Sequence, residues 1–227
     1  MSNIEKAAEA LKKGDFVLMH DASGRENETD MVVAAERITP EHIAAMRTDG
    51  GGLICLAVGK NMAAKLELAF IVDIYRKASK SFPILEHLEA NDIPYDEKSS
   101  FSITINHRRT FTGITDEDRA LTVREFAKLL SNPNPDDFGR NFRTPGHVHL
   151  LISSGLERRE GHTELSVALL ELAGMKPAAV ICEMMDGVTH KSLPPEKASE
   201  YAKSKGLVFL ETDEVKKAYM KSAGGKA

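Results

Sequence analysis

Residues 16–35 read FVLMHDASGRENETDMVVAA, two apolar runs around a ten-residue insert, 21–30, holding four carboxylates (Asp21, Glu26, Glu28, Asp30) and one guanidinium, Arg25. Apolar runs this short predict strands, and Ala22, Ser23 and Gly24 supply turn chemistry between them. Side chains alternate along an extended backbone, so Glu26, Glu28 and Asp30 are expected on one face. Three like charges there repel unless a cation sits among them. Mg²⁺ fits, because it takes one or two carboxylates and fills its remaining positions with substrate oxygens and water. The alternative is a solvated acidic loop, the usual fate of a charge cluster. A second cluster counts against that alternative: Arg158, Arg159, Glu160, Gly161, His162, Thr163 and Glu164, more than a hundred residues downstream.

Outward from the insert, Ile4, Ala7, Ala8 and Leu11 repeat at helical spacing over 4–13, and Gly14 is a C-cap. Thr39 and Pro40 open a helix to about residue 48, which stops at Gly50, Gly51 and Gly52. Residues 53–58 (LICLAV) predict a strand buried on both faces. A helix is expected over 60–68 and a strand over 69–74, whereas 75–98 carry no assignable order. Residues 100–105 alternate as a half-buried strand. A polar, turn-rich stretch over 112–119 precedes Thr122 and Glu125, a capping box for a helix to about 130. Residues 131–135 predict a loop, and Pro145-Gly146 an interruption before a second alternating segment, 147–150.

Leu165, Ala168, Leu169 and Leu172 mark a helix over 163–173, closed by Gly174. A buried strand over 178–182 ends on Glu183. A helix over 194–204, a strand over 207–210, a helix over 212–221 and a loose tail from about 222 complete the chain. Strands and helices intermix with no linker between them. The expectation is one α/β (α+β) domain, 1–227, a mixed sheet flanked by helices.

At 227 residues, 42% hydrophobic and 28% charged, the composition is that of an ordinary globular protein. A net charge of −4 counts against nucleic-acid binding driven by phosphate neutralisation. No apolar run is long enough for a membrane span, and the acid-bearing N-terminal stretch is unlike a signal or transit peptide. Two cysteines, Cys55 and Cys182, make neither a disulfide framework nor a multi-thiolate zinc site. A cytoplasmic location is the expectation.

The second cluster lies at a helix entry, where free N–H groups and the positive end of the dipole suit a phosphate. Arg158 and Arg159 add guanidinium forks, Thr163 a hydroxyl, and Gly161 room for close approach. His162 either caps and packs, or faces the acidic insert and shares its metal. Glu183 ends a buried strand, where open α/β sheets place ligand contacts. Apolar neighbours would raise its pKa and fit it for proton transfer; the alternative is a surface acid. His147 and His149 share one strand face, as proton shuttles or packed rings. Cys55 and Cys182 read as inert core residues. His20 adjoins the insert with no assigned role.

RENETD (25–30) with the following MVVAAE, GGLICL (51–56), TGITDEDRA (112–120), RTPGHV (143–148), REGHTE (159–164) and CEMM (182–185) occur in this order. Together they resemble the 3,4-dihydroxy-2-butanone 4-phosphate synthases over about 5–215. Residues 91–108, NDIPYDEKSSFSITINHR, are most similar to the stand-alone, archaeal-type branch. The resemblance implies conversion of ribulose 5-phosphate to 3,4-dihydroxy-2-butanone 4-phosphate and formate, towards riboflavin. It also implies Mg²⁺ or Mn²⁺, with one or two ions per site, no organic cofactor, and a homodimer whose active sites lie near the subunit interface.

On this sequence the family's metal ligands fall on Glu26 and His162. Its sugar-phosphate contacts fall on Arg25, Glu26, Asp30, Arg159, Glu160, Gly161, His162, Thr163 and Glu183. His147 and Glu183 match positions needed for catalysis, with Asp30 a further proton-transfer group, and Asp21, Cys55 and Glu164 match residues lining the site. Glu160 departs from the usual small or uncharged residue, so its contact is expected from the backbone with the side chain turned away. The implied chemistry needs tuned carboxylates or histidines for proton transfer, a cation for vicinal oxygens, and a remote phosphate anchor. A phosphatase or isomerase acting on a sugar phosphate is the rival reading, and a nucleic-acid module a weaker one. A fused cyclohydrolase is not expected, since two cysteines cannot build its zinc site.

Overall fold

The structure, a computed structural model, describes residues 1–22 and 24–224. Its elements are α1 (Asn3–Lys13), β1 (Val17–His20), β2 (Thr29–Ala34), α2 (Pro40–Ala45), β3 (Cys55–Val58), α3 (Lys60–Lys65), α4 (Ile71–Ala78), α5 (Ile84–His87) and β4 (Phe101–His107). They continue with α6 (Asp116–Leu129), α7 (Pro135–Asn141), β5 (Phe142–Ile152), α8 (His162–Leu172), β6 (Ala178–Glu183), the small hairpin β7 (Met185–Asp186) and β8 (Lys191–Ser192), α9 (Pro195–Lys205), β9 (Val208–Glu211) and α10 (Thr212–Gly224).

Seven strands form a mixed sheet in the order β4-β5-β3-β6-β2-β1-β9, with parallel pairs β3·β5 and β1·β9 and the rest antiparallel. Alternate strand residues feed two cores. Leu18, Met31, Val33, Leu56 and Val180 pack with Ile43, Val123, Phe126 and Ala198 of α2, α6 and α9. Met19, Val32, Cys55, Ala57 and Ile181 pack with Ala7, Leu11, Leu165, Leu169 and Val215 of α1, α8 and α10. β1, β2, β3 and β6 therefore bury both faces, which is why these segments read as unbroken apolar runs.

Register decides where the polar strand ends meet. Asp30 of β2 lies opposite Glu183 of β6, and Ile181 lies opposite Cys55, which lies opposite His149 of β5. Opposed residues, and residues two apart on one strand, share a face. Asp30, Glu183, Cys55 and His149 accordingly belong to the face that α8 covers.

Several expectations need correction. Glu26, Glu28 and Asp30 do not share one extended run: Gly24 to Glu26 form a turn, Asn27 has φ +57°, and only Asp30 is in the strand. Glu28 turns away to accept a hydrogen bond from the Ser192 hydroxyl, and Ser23 lies outside the described residues. Residues 69–74 are not a strand. α4 forms there, with Asp73 in its first turn and Arg76 and Lys77 in its last, and a short apolar run cannot distinguish the two.

Thr122 does not open a helix either. α6 starts six residues earlier on a Thr115 cap, with three acids in its first turn, and Thr122 is buried accepting the His107 N–H. Pro145-Gly146 does not end β5, but the pairing with β4 breaks there as the interruption implied, passing from Ile105 opposite Val148 to Asn106 opposite Arg143. Gly146 donates to the Thr104 hydroxyl, and a Cβ there would fall 2.0 Å from the Ile105 carbonyl carbon, so only glycine lets the strands close. α7 begins at the end of the expected loop, capped by the Asn134 side chain. α10 continues to Gly224, past the start of the expected tail, and 225–227 lie outside the described residues.

Candidate active site

The acidic insert is folded around Asp21. This buried carboxylate accepts the backbone N–H of Glu28 at 3.0 Å and of Glu26 at 3.2 Å, and the Arg25 guanidinium at 2.9 Å. His20 braces the loop from behind, its ring within 2.7 Å of Glu211 and 3.3 Å of Asn27. These bonds carry the Glu26 carboxylate over the end of β2, beside Asp30.

α8 meets them there. His162, its first residue, is buried, and its Nε2 lies 3.2 Å from the Met19 carbonyl, to which only a protonated nitrogen can bond. Its Nδ1 faces Glu26 at 3.7 Å and Asp30 at 3.5 Å. Burial alone would lower the imidazole pKa, but Asp30, Glu26 and Asp21 together hold it up at about 9. Burial, with Glu183, Glu26 and Glu28 nearby, pushes Asp30 up to about 8 against the pull of His162. Glu26 goes the other way: despite burial, His162 and Arg25 hold it at about 2.

Asp21, Glu26 and His162 each offer a ligand atom within 4.8 Å of the others. The donors fit a hard or borderline divalent ion: two carboxylates, an imidazole fixed through its second nitrogen by a backbone carbonyl, and a buried Asp30 Oδ1 without a hydrogen-bond partner among the described residues. The Arg25 guanidinium bridges Asp21 and Glu26, at 2.9 Å and 2.6 Å.

Glu183 accepts the Leu53 N–H at 2.7 Å, and burial raises its pKa. Gly52 makes this approach possible, since a Cβ there would lie 2.3 Å from the carboxylate. Cys55 is buried and lines the same cavity of about 150 Å³, with its thiol pushed well above the usual range by burial and by Glu183 and Asp30. That makes it a wall, not a nucleophile. Cys182 is equally buried, and burial pushes it up to about 12.

Beside the carboxylates stand two guanidiniums. Arg159 is held by Glu164 at 2.6 Å, and Glu164 in turn accepts the Ser154 N–H at 2.9 Å. Gly161 lets both arginines lie against the backbone, because a Cβ would fall 2.3 Å from Arg159 and 2.7 Å from Arg25. Thr163 lines the cavity, Arg158 is exposed, and the Glu160 side chain pairs with Lys216 at 2.6 Å.

His147 and His149 part company. His149 is half-buried, in edge contact with Phe101. His147 is exposed and does not line the cavity; Asn106 accepts its backbone N–H at 2.8 Å and donates its side-chain amide to the ring Nδ1 at 3.1 Å. Sequence reasoning missed Tyr95 and Asp96. Asp96 joins Arg25 at 2.6 Å to Arg159 at 2.7 Å, and the Tyr95 ring lies 5.2 Å from the Arg25 guanidinium carbon. Both belong to the stretch without periodicity, where the only signal was its likeness to one branch of a family.

A buried imidazole among carboxylates, next to paired guanidiniums, is the make-up of a metal-assisted enzyme for an anionic substrate. Residues 5–218 match the 3,4-dihydroxy-2-butanone 4-phosphate synthase family, and the chain belongs to that family. The protein of that name from Methanothermobacter thermautotrophicus is 51% identical over 219 residues, 96% of either chain. The one from Archaeoglobus fulgidus is 46% identical, covering 96% of this chain and 94% of its own. A crystal structure of a 3,4-dihydroxy-2-butanone 4-phosphate synthase in complex with two magnesium ions superposes over the whole of both chains, with a TM-score of 0.76 and 28% identity. The archaeal relatives and the mixed sheet agree with the sequence reading.

Proposed function

We propose that this enzyme converts D-ribulose 5-phosphate to L-3,4-dihydroxy-2-butanone 4-phosphate and formate with Mg²⁺ or Mn²⁺, towards riboflavin. The observation that carries the reading is the meeting of the acidic insert with His162 at the entry of α8, beside Arg159. Glu26 and His162, joined by Asp21, would hold the ion. When bound, it supplies Lewis-acid polarisation of neighbouring substrate oxygens.

The protein's own groups do the rest. Arg159, Thr163 and the backbone at Gly161 anchor the phosphate at the helix entry, away from the reacting carbons. Asp30 and Glu183, both raised by burial, take and return protons, and their position in one register row puts both on the same side of the substrate. Cys55 and Ile181 line the wall that excludes water.

His147 finds its role in a homodimer. Its exposed ring sits beside the 111–114 turn, through Asn106, and that turn presents Phe111 (93% exposed) and Ile114 to solvent. Apolar side chains standing out around a polar ring suit burial by a second copy, which would bring His147 to the partner's cavity. Purified protein with ribulose 5-phosphate and Mg²⁺ should release formate, and EDTA should stop it. Absence of formate with metal present overturns the reading, and release of inorganic phosphate or a five-carbon product would install the phosphatase or isomerase in its place.

A further inference from the structure

Asp21 and Glu164, the fixed partners of the two site arginines, are buried and also accept backbone N–H groups, from Glu26 and Glu28 and from Ser154. Asp96 does not. It sits in residues 91–99, which form neither helix nor strand and run over the cavity between α5 and β4, with Ile93, Tyr95 and Ser99 also lining it. One Asp96 oxygen takes Arg25 at 2.6 Å and both Nε and a terminal nitrogen of Arg159 at 2.9 and 2.7 Å. It thus draws on the two side chains best placed to hold an incoming anion.

Around these two cations stand four carboxylates, Asp21, Glu26, Glu164 and Asp96. A phosphate monoester, with a charge near −2, would enter a cluster where acids already outnumber guanidiniums. The carboxylate placed to give way is Asp96, the one of the four whose bonds among the described residues run only to the two arginines. A phosphate also uses the arginines better: its oxygens meet both forks in parallel, whereas Asp96 offers them one oxygen.

We propose that Asp96 is a built-in competitor for the substrate phosphate: it keeps Arg25 and Arg159 aligned in the empty site and is displaced, with Tyr95, when a phosphate takes the pair. The inference rests on the phosphate-anchor reading of Arg159 given above. Asp96 is a specificity device as well as a positioning residue, since a neutral sugar cannot meet the cost of breaking its three contacts.

The test is calorimetric titration of the Mg²⁺-loaded protein with inorganic phosphate, comparing wild type with Asp96→Asn, Asp96→Glu and Arg159→Met. Asp96→Asn should bind phosphate about tenfold tighter, and the KM for ribulose 5-phosphate should fall with it. Asp96→Glu, which restores the charge, should return both towards wild type. Hydrogen exchange over 91–99 should rise when phosphate is added to wild type, a change that a purely structural Asp96 would not give. Unchanged or weaker binding by Asp96→Asn, or slower exchange with phosphate, overturns the inference and leaves the proposed reaction standing. Phosphate binding indifferent to Arg159→Met removes the anchor reading and this inference together.

Discussion

The cavity has two walls of different construction. One is made by β2, β6, β3 and the entry of α8, where register and two packed cores fix every side chain. The other is the coil over 91–99, held by ion pairs to the arginines and by Tyr95 against Arg25. The sheet wall carries acids whose protonation is set by burial. The coil wall carries a charge that another anion can replace. On the proposed function, proton transfer belongs to the wall built on the sheet and selection of the anion to the wall built on coil.

Damage to the sheet wall should cost most. Glu183→Gln keeps an acceptor for the Leu53 N–H but cannot exchange a proton, so kcat for formate release should fall by about 10²–10⁴ with little change in thermal stability. A fall of less than tenfold would remove Glu183 from the chemistry. Metal affinity should respond next. His162 is held at about 9, so below that pH an ion must expel its proton, and affinity should rise by about tenfold per pH unit up to pH 9. Mg²⁺ or Mn²⁺ titrations in two buffers of different ionisation enthalpy would count the protons released, and a pH-independent affinity would contradict a His162 ring that carries a proton to be expelled.

A mixing experiment probes the boundary between copies. His147→Ser and Glu26→Gln, each inactive alone, should regain about a quarter of wild-type activity on co-refolding, because half the dimers are mixed and each has one intact site. No recovery would place His147 and Glu26 in the same subunit's site. The smallest effect belongs outside both walls. Lys216→Ala removes the partner of Glu160, a half-exposed pair, and should alter stability by less than about 1 kcal/mol and leave KM unchanged.

Legibility followed the same division. β1, β2, β3 and β6 announced themselves because burial on two faces leaves unbroken apolar runs, and α8 did so by apolar residues at helical spacing, with Glu183 and His162 at their ends. α4 left a trace too short to separate helix from strand. Asp96 left none, since its place depends on the path of a coil and on two arginines distant in sequence. The alternation assigned to Glu26, Glu28 and Asp30 failed for a local reason: Asp21 gathers the backbone N–H groups of 26 and 28 and winds the insert into a loop. Asp21 read as one more acid, although it organises the others.

Pulsed electron paramagnetic resonance on the Mn²⁺-loaded protein tests most directly whether insert and helix entry share one ion. A ¹⁴N coupling from an imidazole is expected in wild type, lost in His162→Gln and kept in His147→Ser. Bound Mn²⁺ without that coupling in wild type, or with it intact in His162→Gln, would contradict the site described here.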